Sequence, residues 1–510
     1  MLKFIIISIF TITSLLSGAQ QNEVKLLRWE GPSGSKPGTF KEWSVSHPYK
    51  TFSTALTKKL SVQRKAGKVV ILVDSTIASS LTSELNQLMT NLQYEGYTVS
   101  SYNIAGGTPE NLRSFLKGLY DNDNIEGALF VGDLPVAWFQ VENDYGTYGY
   151  AEWPIDLFYM DLNGDWIDTM KYYAVGDSLA SGKDSIYDAH SGDVNPEIYV
   201  GRLTPTGIGN DTLLIKNYFA KDNAYRNHSI ELQHRALVYV EDDWHYWAPE
   251  WAGDVSLLYD DTLVVADSNA TRVTDYRIKL DTVRAWVSVF AHSWPGGHVF
   301  YYNNHASYDY YYASEYTSQD PPANFYNLFA CSFARYTESG YGGGRTIFNQ
   351  SYGVGAIGST KTGSMLDFYY FYLPLSQGKT MGEAFKDWFY YITAGGVSFD
   401  DICWHYGMTL LGDPFLKPKG HNIAIEEKLK IKNQKSNIKI FPNPFVFCTQ
   451  LSMASGQCSV KDKIRIYDIS GKLVEETKDN IIGKNLKSGI YFVKVNDSKP
   501  IKVVKMGIVK

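Results

Sequence analysis

Short apolar runs alternate with amphipathic stretches from residue 65 onwards. Val69–Val73 is apolar throughout and largely β-branched, which predicts a strand buried on both faces. Ser83–Tyr94 has apolar residues at helical spacing, and Ala128–Gly132 is a further strand-like run. Because strands that alternate with helices pair in parallel, this stretch predicts an α/β unit, subdomain A, over residues 65–205.

The same alternation returns between residues 206 and 420, which we name subdomain B. Four short apolar runs each end in polar residues; the runs are Arg235–Val240, Ala285–Ala291, Asn327–Ala330 and Val354–Gly358. The expected fold class is therefore α/β, with two parallel-sheet subdomains covered by helices.

Both ends of the chain differ from this pattern. Residues 1–19 have the layout of a secretory signal, with Lys3, the apolar run Phe4–Leu16 and small residues at the exit. The apolar run is too short to span a bilayer, and the sequence predicts no transmembrane segment elsewhere. Residues 20–64 are polar and irregular, and indicate a pro-segment remnant or an N-terminal strap. The protein is expected to leave the cytoplasm and to pass through the periplasm.

The C-terminal region changes composition twice. Residues 421–437 are rich in Lys, Glu, Asn and Gln, which is typical of a solvated linker. Residues 438–510 alternate apolar and polar positions between turn residues, and predict a small all-β, immunoglobulin-like sandwich of about seven strands.

Charge and cysteine content narrow the possible functions. The formal net charge of −6 argues against nucleic acid or an anionic membrane as the main partner. Four cysteines in 510 residues mean that the fold depends on its core and not on disulfides. Cys448 and Cys458 could close a small loop, whereas Cys331 and Cys403 stand apart as free thiols, of which Cys403 is expected to be buried.

Two predicted strands of subdomain B end in residues that can carry chemistry. The run Val287–Ala291 is followed by His292, and Asn327–Ala330 is followed by Cys331. If the two strands are neighbours, thiol and imidazole open into one crevice, because functional side chains cluster at the carboxyl ends of parallel strands. A cysteine nucleophile needs such an imidazole to form its thiolate. A buried cysteine with an unrelated histidine remains the alternative.

Seven stretches in order resemble the gingipain-type, caspase-like cysteine peptidases of bacteria over residues 65–420. They are Phe130-Val-Gly-Asp133, Asp156-Leu-Phe-Tyr-Met-Asp161, Glu197-Ile-Tyr-Val-Gly-Arg202, Phe290-Ala-His292, Phe329-Ala-Cys331, Gly355-Ala-Ile-Gly-Ser-Thr360 and Leu411-Gly-Asp-Pro414. The resemblance implies that Cys331 is the nucleophile, that His292 is the general base and acid, and that Glu197 orients the imidazole.

The resemblance also implies an oxyanion hole formed by the backbone N–H groups of Cys331 and of the residue after the histidine. Related enzymes have Gly at that second position, whereas this chain has Ser293. If the backbone there needs a glycine conformation, the Ser293 side chain would strain it.

Several polar clusters could bind a cation. Asp161, Asn163, Asp165 and Asp168 place oxygen atoms at nearly alternate positions around a glycine, as calcium loops do, and the resemblance also implies calcium. An Asx-rich turn is the alternative. Glu241–Asp243 predicts a second cation site or, more simply, a solvated acidic loop.

Other histidines of subdomain B compete for a role. His298 and His305 could bind a metal with Asp309, but their spacing fits no zinc signature, so loop or surface positions are expected. His405 is expected either to be a packing residue or to lie near the rim of the cleft.

The C-terminal domain resembles the sorting domain of the type IX secretion route. The matching stretches are Phe441-Pro-Asn-Pro444, Ile466-Tyr-Asp-Ile-Ser-Gly471 and Ser488-Gly-Ile-Tyr-Phe-Val-Lys-Val495. The resemblance implies export by the type IX machinery to the cell surface or beyond, with the domain usually removed there; an adhesive β-sandwich is the alternative.

Together these features predict a secreted cysteine endopeptidase that hydrolyses protein or peptide substrates through a thioester. The alternative is a catalytically impaired relative that acts as a surface binding or adhesion protein.

Overall fold

The structure is a computed structural model that describes residues 24–62, 66–171 and 180–418, together with the strands between Ile438 and Lys505 and short stretches beside them. The chain divides into two compact units, residues 1–423 and residues 424–510. Each unit is described by itself below.

The larger unit contains both helices and strands. The α-helices are α1 (Phe40–Ser46), α2 (Ser75–Ala78), α3 (Thr82–Tyr94), α4 (Pro109–Asp123), α5 (Leu157–Met160), α6 (Asp211–Arg226), α7 (Ala248–Val255), α8 (Val273–Leu280), α9 (Ala313–Gln319), α10 (Gly342–Ile347), α11 (Tyr369–Ser376), α12 (Met381–Thr393) and α13 (Phe399–His405). Short 3₁₀ turns are formed by Ser79–Leu81, Asp144–Gly146 and Asp242–Trp247.

The strands of this unit are β1 (Ser53–Leu60), β2 (Gly67–Asp74), β3 (Tyr97–Ala105), β4 (Gly127–Val131), β5 (Trp138–Val141), β6 (Ala151–Pro154), β7 (Asp165–Ile167), β8 (Met170–Lys171), β9 (Ala180–Ser181), β10 (Ala189–Ser191), β11 (Tyr199–Leu203), β12 (Arg235–Val240), β13 (Asp261–Val265), β14 (Arg284–Trp294), β15 (Gly297–Tyr302), β16 (Ser307–Tyr312), β17 (Ala323–Ala330), β18 (Gly355–Ser359) and β19 (Met408–Gly412).

One continuous sheet runs through the larger unit in the order β1-β3-β2-β4-β11-β19-β18-β17-β14-β12-β13. The strands from β3 to β19 pair in parallel, and so do those from β18 to β13. Because β18 and β19 pair antiparallel, the two halves of the sheet point in opposite directions. The predicted α/β class is confirmed, and both predicted subdomains contribute strands to this one sheet.

The sheet is buried on both faces, as the apolar runs predict. Every residue of β14 and of β17 is buried. Alternate side chains of these strands enter different hydrophobic clusters: Phe290 and Phe329 pack on one face, whereas Val289 and Leu328 pack on the other. Helices cover both faces because a parallel sheet needs an apolar layer on each side.

Two residues of the motifs noted above form a buried ion pair. Arg202 on β11 contacts both carboxylate oxygens of Asp156, which precedes α5. Tyr336 and Thr409 donate further hydrogen bonds to the same carboxylate at 3.0 and 2.6 Å. Since four chain segments meet at Asp156, these motif residues stabilise the centre of the sheet.

Residues Val24–Gly38, which we name the N-terminal strap, lie against subdomain B. Leu27 is fully buried, and Trp29 forms an isolated parallel bridge with Ser293. Beyond the strap, α1 packs Phe40 against Trp138, and β1 pairs antiparallel with β3 as the edge strand of the sheet. The irregular N-terminal region therefore contains a strap that reaches the predicted catalytic strand.

The described residues of the smaller unit form strands and no helix, in agreement with the predicted all-β domain. One sheet contains β20 (Ile438–Phe441), β21 (Thr449–Met453), β22 (Gly456–Gln457) and β25 (Ile481–Ile482), and the other contains β23 (Ile464–Asp468), β24 (Leu473–Thr477), β26 (Gly489–Val495) and β27 (Ile501–Lys505). All their pairings are antiparallel.

Several predictions concern parts of the chain outside the described residues. These are the signal peptide at residues 1–19, the linker at 421–437, and Cys448 and Cys458. In the part of the chain that the structure does describe, no helix combines the length and the apolar character needed to cross a membrane.

Candidate active site

The two predicted catalytic residues lie at the ends of neighbouring strands. His292 lies near the end of β14, Cys331 follows β17 directly, and the two strands pair in parallel with Ala291 opposite Ala330. The strand order therefore places His292 and Cys331 at the same edge of the sheet. Both side chains are fully buried.

The imidazole of His292 has a partner at each nitrogen. Its Nε2 atom lies 2.9 Å from Oδ2 of Asp243, and its Nδ1 atom accepts the backbone N–H of Arg28 at 3.1 Å. Because an amide N–H can only donate, Nδ1 holds the lone pair, and Nε2 holds the proton and donates it to Asp243. Burial lowers the pKa of His292, which favours this neutral form.

Asp243 follows β12, the neighbour of β14, and lies in the 3₁₀ turn Asp242–Trp247. Lys25 of the strap forms an ion pair with its Oδ1 atom, and His305 lies 2.7 Å from the same oxygen. Burial opposes the ionisation of Asp243, but the hydrogen bonds from His292 and Lys25 outweigh it and hold the pKa of this carboxyl well below its usual range.

The solvated loop predicted at Glu241–Asp243 is thus wrong, because all three residues are buried. The sequence did contain a signal for Asp243. The acidic run follows the apolar strand Arg235–Val240, just as His292 and Cys331 follow theirs, and residues after neighbouring parallel strands meet at one sheet edge. Glu241, Asp243 and His292 also stand close enough to share a cation, although Lys25 already neutralises Asp243.

The N-terminal strap covers the His292–Asp243 pair. Besides the Arg28 and Lys25 contacts, Trp244 donates its indole N–H to the backbone carbonyl of Lys25 at 2.8 Å. Glu30 donates its backbone N–H to the carbonyl of Ser293 at 3.3 Å. The strap therefore lies along the end of β14 as an added stretch of extended chain.

The Cys331 thiol hydrogen-bonds to hydroxyl groups. Its sulfur lies 3.2 Å from Oγ1 of Thr362 and 3.7 Å from Oγ of Ser332. Burial raises the pKa of Cys331 to about 11, so the thiol is neutral in this arrangement. Ser332 has φ = 55°, a left-handed backbone that a non-glycine residue adopts at an energetic cost, and such strain clusters at functional sites.

Ser293 is free of the strain that the sequence suggested. It is not among the non-glycine residues with positive φ, so the backbone does not demand glycine. Its hydroxyl bonds to the carbonyl of Ala291 at 3.1 Å and to Nδ1 of His298 at 2.8 Å. The Ser293 side chain therefore points into a buried polar row and leaves its backbone position unstrained.

Glu197 lies away from His292. Its carboxylate accepts the backbone N–H of Leu162 at 2.6 Å, and burial raises its pKa. Glu197 precedes β11, and β19, β18 and β17 lie between β11 and β14 in the sheet. The carboxylate that hydrogen-bonds to the His292 imidazole is that of Asp243 and not that of Glu197.

The predicted calcium loop is held by hydrogen bonds within the protein. Oδ1 of Asp161 accepts the backbone N–H groups of Asn163 and Gly164 at 3.1 and 2.7 Å, while Oδ2 pairs with His190. Both oxygens of Asp161 thus face N–H donors.

The other carboxylates of this loop differ from Asp161 in their surroundings. Asp168 accepts two backbone N–H groups from further along the chain, and Asp165 is exposed on β7. The carboxylates of Asp161 and Asp168 thus accept N–H groups of the protein, as in an Asx-rich turn. A calcium ion in this loop stays a prediction.

The remaining histidines are dispersed. His298 is buried between Ser293 and the hydroxyl of Tyr316, which lies 3.1 Å from its Nε2 atom. His305 contacts Asp243, whereas Asp309 lies 3.4 Å from the hydroxyl of Tyr302. His298, His305 and Asp309 therefore do not form one metal site, and His298 is a core residue where the sequence predicted a loop or surface position.

A cleft of about 1030 Å³ opens beside Cys331. Arg28 and Trp29 of the strap line it together with Ser332, Lys361 and Thr362. The cleft thus lies between the strap and the residues around the thiol.

A buried ion pair supports one wall of this cleft. The ammonium of Lys361 lies 2.9 Å from a carboxylate oxygen of Asp144 and also donates to the backbone carbonyl of Cys403. The rings of Tyr145 and Trp153 lie 4.9 and 5.0 Å from the same ammonium. Cys403 itself is buried, as is His405, which packs edge-on against Trp388.

Models of known protein families match two parts of the chain. Residues 63–419 match the model of peptidase family C25, and residues 439–510 match a secretion system C-terminal sorting domain. No curated protein matches the chain.

Two solved structures are similar to the chain at low identity. The crystal structure of the Arg specific cysteine proteinase gingipain R (RGPB) has 12% identity and a TM-score of 0.47, with 88% of this chain and 99% of that chain covered. The complex of Porphyromonas gingivalis RgpB pro- and mature domains has 13% identity and a TM-score of 0.46, with 87% and 100% covered. Because the C25 model spans most of the sequence, this chain belongs to peptidase family C25 and ends in a sorting domain of the type IX kind.

Proposed function

We propose that this protein is a secreted cysteine endopeptidase with Cys331 as nucleophile, His292 as general base and acid, and Asp243 as the residue that holds the imidazole. The observation that carries the proposal is the His292–Asp243 hydrogen bond at the strand end adjoining Cys331. A carboxylate on one imidazole nitrogen leaves the other as the base, as a cysteine peptidase needs.

The reaction proceeds in two displacement steps. The Cys331 thiol gives its proton to Nδ1 of His292, and the thiolate attacks the carbonyl carbon of the scissile bond. The C–N bond then breaks, His292 returns the proton to the leaving amine, and a thioester remains on Cys331. Water, deprotonated by His292, hydrolyses the thioester and releases the acid. The backbone N–H groups of Cys331 and Ser293 receive the oxyanion in both steps.

In the arrangement described here, the strap opposes this chemistry. The Arg28 amide occupies the Nδ1 lone pair that must accept the thiol proton, and His292 and Cys331 are both buried. Displacement of the strap frees Nδ1 and opens the cleft to a polypeptide. The active form is therefore one in which Val24–Glu30 has left the end of β14.

The sorting domain supports export. Its match to a secretion system C-terminal sorting domain favours delivery to the cell surface or the exterior by the type IX machinery, through the periplasm. Polypeptides met outside the cell are then the substrates.

The sealed site favours a second candidate, a non-catalytic surface binding protein. The thiol hydrogen-bonds to Thr362 and not to His292, and its pKa is raised. If the strap never leaves, the chain keeps the peptidase fold without the activity.

Alkylation of the full chain by iodoacetamide separates the two candidates. We would compare the parent chain with Cys331→Ala, His292→Ala and Cys403→Ser, each with and without Arg28→Pro to loosen the strap. The peptidase proposal expects rapid labelling at neutral pH that is lost in Cys331→Ala, slowed in His292→Ala and retained in Cys403→Ser. Labelling of Cys331 that stays as slow as that of an ordinary buried thiol, and is indifferent to His292, contradicts the peptidase and supports the binding protein.

A further inference from the structure

Aromatic side chains form a continuous row beside the candidate general base. We name this row the aromatic ledge; its members are Trp294, Tyr301, Tyr308, Tyr310 and Tyr312. The ring of Tyr301 lies 5.8 Å from the His292 ring, and neighbouring rings of the ledge have centroids 5.4 to 6.1 Å apart. The row therefore leads without a gap from the imidazole to the surface.

The strand pattern of β16 places these tyrosines toward solvent. Tyr311 is fully buried in the core. Tyr308 and Tyr312, which alternate with it along the strand, are 54% and 48% exposed. Within the described residues, β16 pairs with β15 alone, so its outer edge is open. An exposed aromatic row on an open edge strand contributes little to the core, and such a surface is typical of a binding site.

A stretch of polypeptide already occupies the inner end of the ledge. Trp29 bridges Ser293, and the Glu30 carboxylate lies beside the Tyr301 hydroxyl, where burial together with Glu30 raises the pKa of Tyr301 to about 12. A Cβ at Gly31 would stand 2.2 Å from Oγ of Ser35 in the strap itself and 3.0 Å from Cγ of Trp294. The strap thus shows how an extended chain lies here: its backbone follows β14, and a glycine faces Trp294.

The strap leaves this path after Gly31. Pro32 begins a turn in which the backbone N–H of Ser35 donates to its carbonyl at 2.9 Å, and the backbone N–H of Gly38 then donates to Glu338 at 2.7 Å. An extended polypeptide without this turn would continue from Trp294 onto Tyr310 and Tyr312, since both rings pack edge-on against Trp294.

We propose that the aromatic ledge binds the extended, glycine- and proline-containing segment of a polypeptide substrate on one side of the scissile bond. The inference rests on the proposed peptidase function and names the class of chain that the enzyme selects. Ring faces accept glycine, which lets the backbone approach closely, and proline, whose extended conformation is preformed. Tyrosine hydroxyls at the ring edges hydrogen-bond to the peptide groups between them.

Two substrates and three variants test the ledge in the hydrolysis reaction. A four-residue and an eight-residue peptide share the residues around the scissile bond, and the longer one adds a Gly-Pro-Gly-Pro extension. The full chain carrying Arg28→Pro is compared with the same chain carrying Tyr308→Ala, or Tyr308→Ala with Tyr312→Ala. The matched control is Tyr94→Ala at the end of α3, where the side chain is 87% exposed and far along the sequence from the ledge.

We expect the double variant to lower kcat/KM for the long peptide about tenfold, mainly through KM, because each lost ring contact contributes a factor of a few. The short peptide and the Tyr94→Ala control should be unchanged. Equal loss for both peptides, or no loss for either, overturns the ledge while leaving the peptidase in place.

A binding measurement keeps the inference independent of catalysis. Fluorescence anisotropy of a labelled Trp-Glu-Gly-Pro-Gly-Pro-Gly peptide is recorded with the Cys331→Ala, Arg28→Pro chain, with and without the ledge substitutions. Binding that weakens about tenfold on loss of Tyr308 and Tyr312 supports the ledge, even if no peptide is ever hydrolysed. Absence of binding, binding indifferent to both tyrosines, or ledge-dependent binding of a glucan oligosaccharide in place of the peptide, overturns it.

Discussion

Asp243 accepts the Nε2–H of His292 at 2.9 Å, and this bond decides which imidazole nitrogen can act as a base. The backbone N–H of Arg28 donates to the other imidazole nitrogen, Nδ1. In the proposed mechanism, Asp243 prepares His292 for catalysis while Arg28 blocks it, and each contact can be changed separately.

Replacement of Asp243 by Asn should lower kcat about 10²-fold in a strap-loosened chain, because the amide no longer fixes the tautomer or stabilises the imidazolium. Glu197→Gln is the matched control and should change kcat less than about twofold, since Glu197 contacts Leu162 and not His292. Steady-state kinetics on one peptide substrate would check both. A similar loss of kcat in the two variants would indicate that Glu197 does orient the imidazole.

Replacement of Arg28 by Pro should speed alkylation of Cys331 about three- to tenfold. Proline has no N–H, so the bond to Nδ1 of His292 is lost, and one hydrogen bond contributes about 0.5–1.5 kcal/mol. Arg28→Ala keeps the amide and should react close to the parent rate. If alanine accelerates the reaction as much as proline, the side chain and not the amide holds the strap.

Replacement of Ser293 by Gly should destabilise the protein by about 1–2 kcal/mol and leave kcat no higher. Two hydrogen bonds of the hydroxyl are lost and the backbone gains freedom, while no left-handed φ is relieved. Urea unfolding gives the free-energy change. A more stable or more active glycine variant would show that the serine does strain the oxyanion hole.

Replacement of Lys361 by Met should lower the free energy of unfolding by about 3–5 kcal/mol, because it leaves Asp144 buried without its partner. The double variant Lys361→Met, Asp144→Leu should recover most of the loss, since neither charge then remains. Thermal or urea unfolding of the two variants tests this, and a double variant no better than the single one would contradict it.

Acid should lower the unfolding free energy of the larger unit within a defined pH range. Burial lowers the pKa of His405 to about 4 and that of His298 to about 3, from an ordinary value of 6.5. The folded state keeps both neutral while the unfolded state binds protons below pH 6.5, so the unfolding free energy should fall as pH drops from 6.5 to 4. Each histidine contributes on the order of 3 kcal/mol over that range.

Urea unfolding at several pH values measures this slope. His405→Gln should flatten it, whereas substitution of the more exposed His228 should not. A slope unchanged by His405→Gln would place the acid sensitivity elsewhere.

The sequence predicts those site residues whose position depends only on where a strand ends. It fails for those whose position depends on the order of the strands in the sheet. His292 and Cys331 each follow an apolar run, so their meeting needed only that the two strands be neighbours. Glu197 also adjoins such a run, but three strands separate β11 from β14, and that order is a property of the sheet and not of the local pattern.

Asp243 was missed for a different reason. Three consecutive acidic residues are usually solvated, and here they are buried because His292, Lys25 and backbone N–H groups supply their hydrogen bonds. His292 and Lys25 lie 49 and 218 residues away from Asp243 along the chain. The strap was equally hidden, since its irregular composition shows neither helix nor strand periodicity.

The position of β19 has a consequence for how the chain acquires its structure. Residues 408–412 are the last strand of the larger unit, yet they lie between β11 and β18 and join the two halves of the sheet. Contacts of such long sequence separation form slowly, because a large loop must close first. A chain that emerges from its N-terminus therefore holds two unjoined half-sheets until nearly all of this unit is available, and its final closure is a single late event.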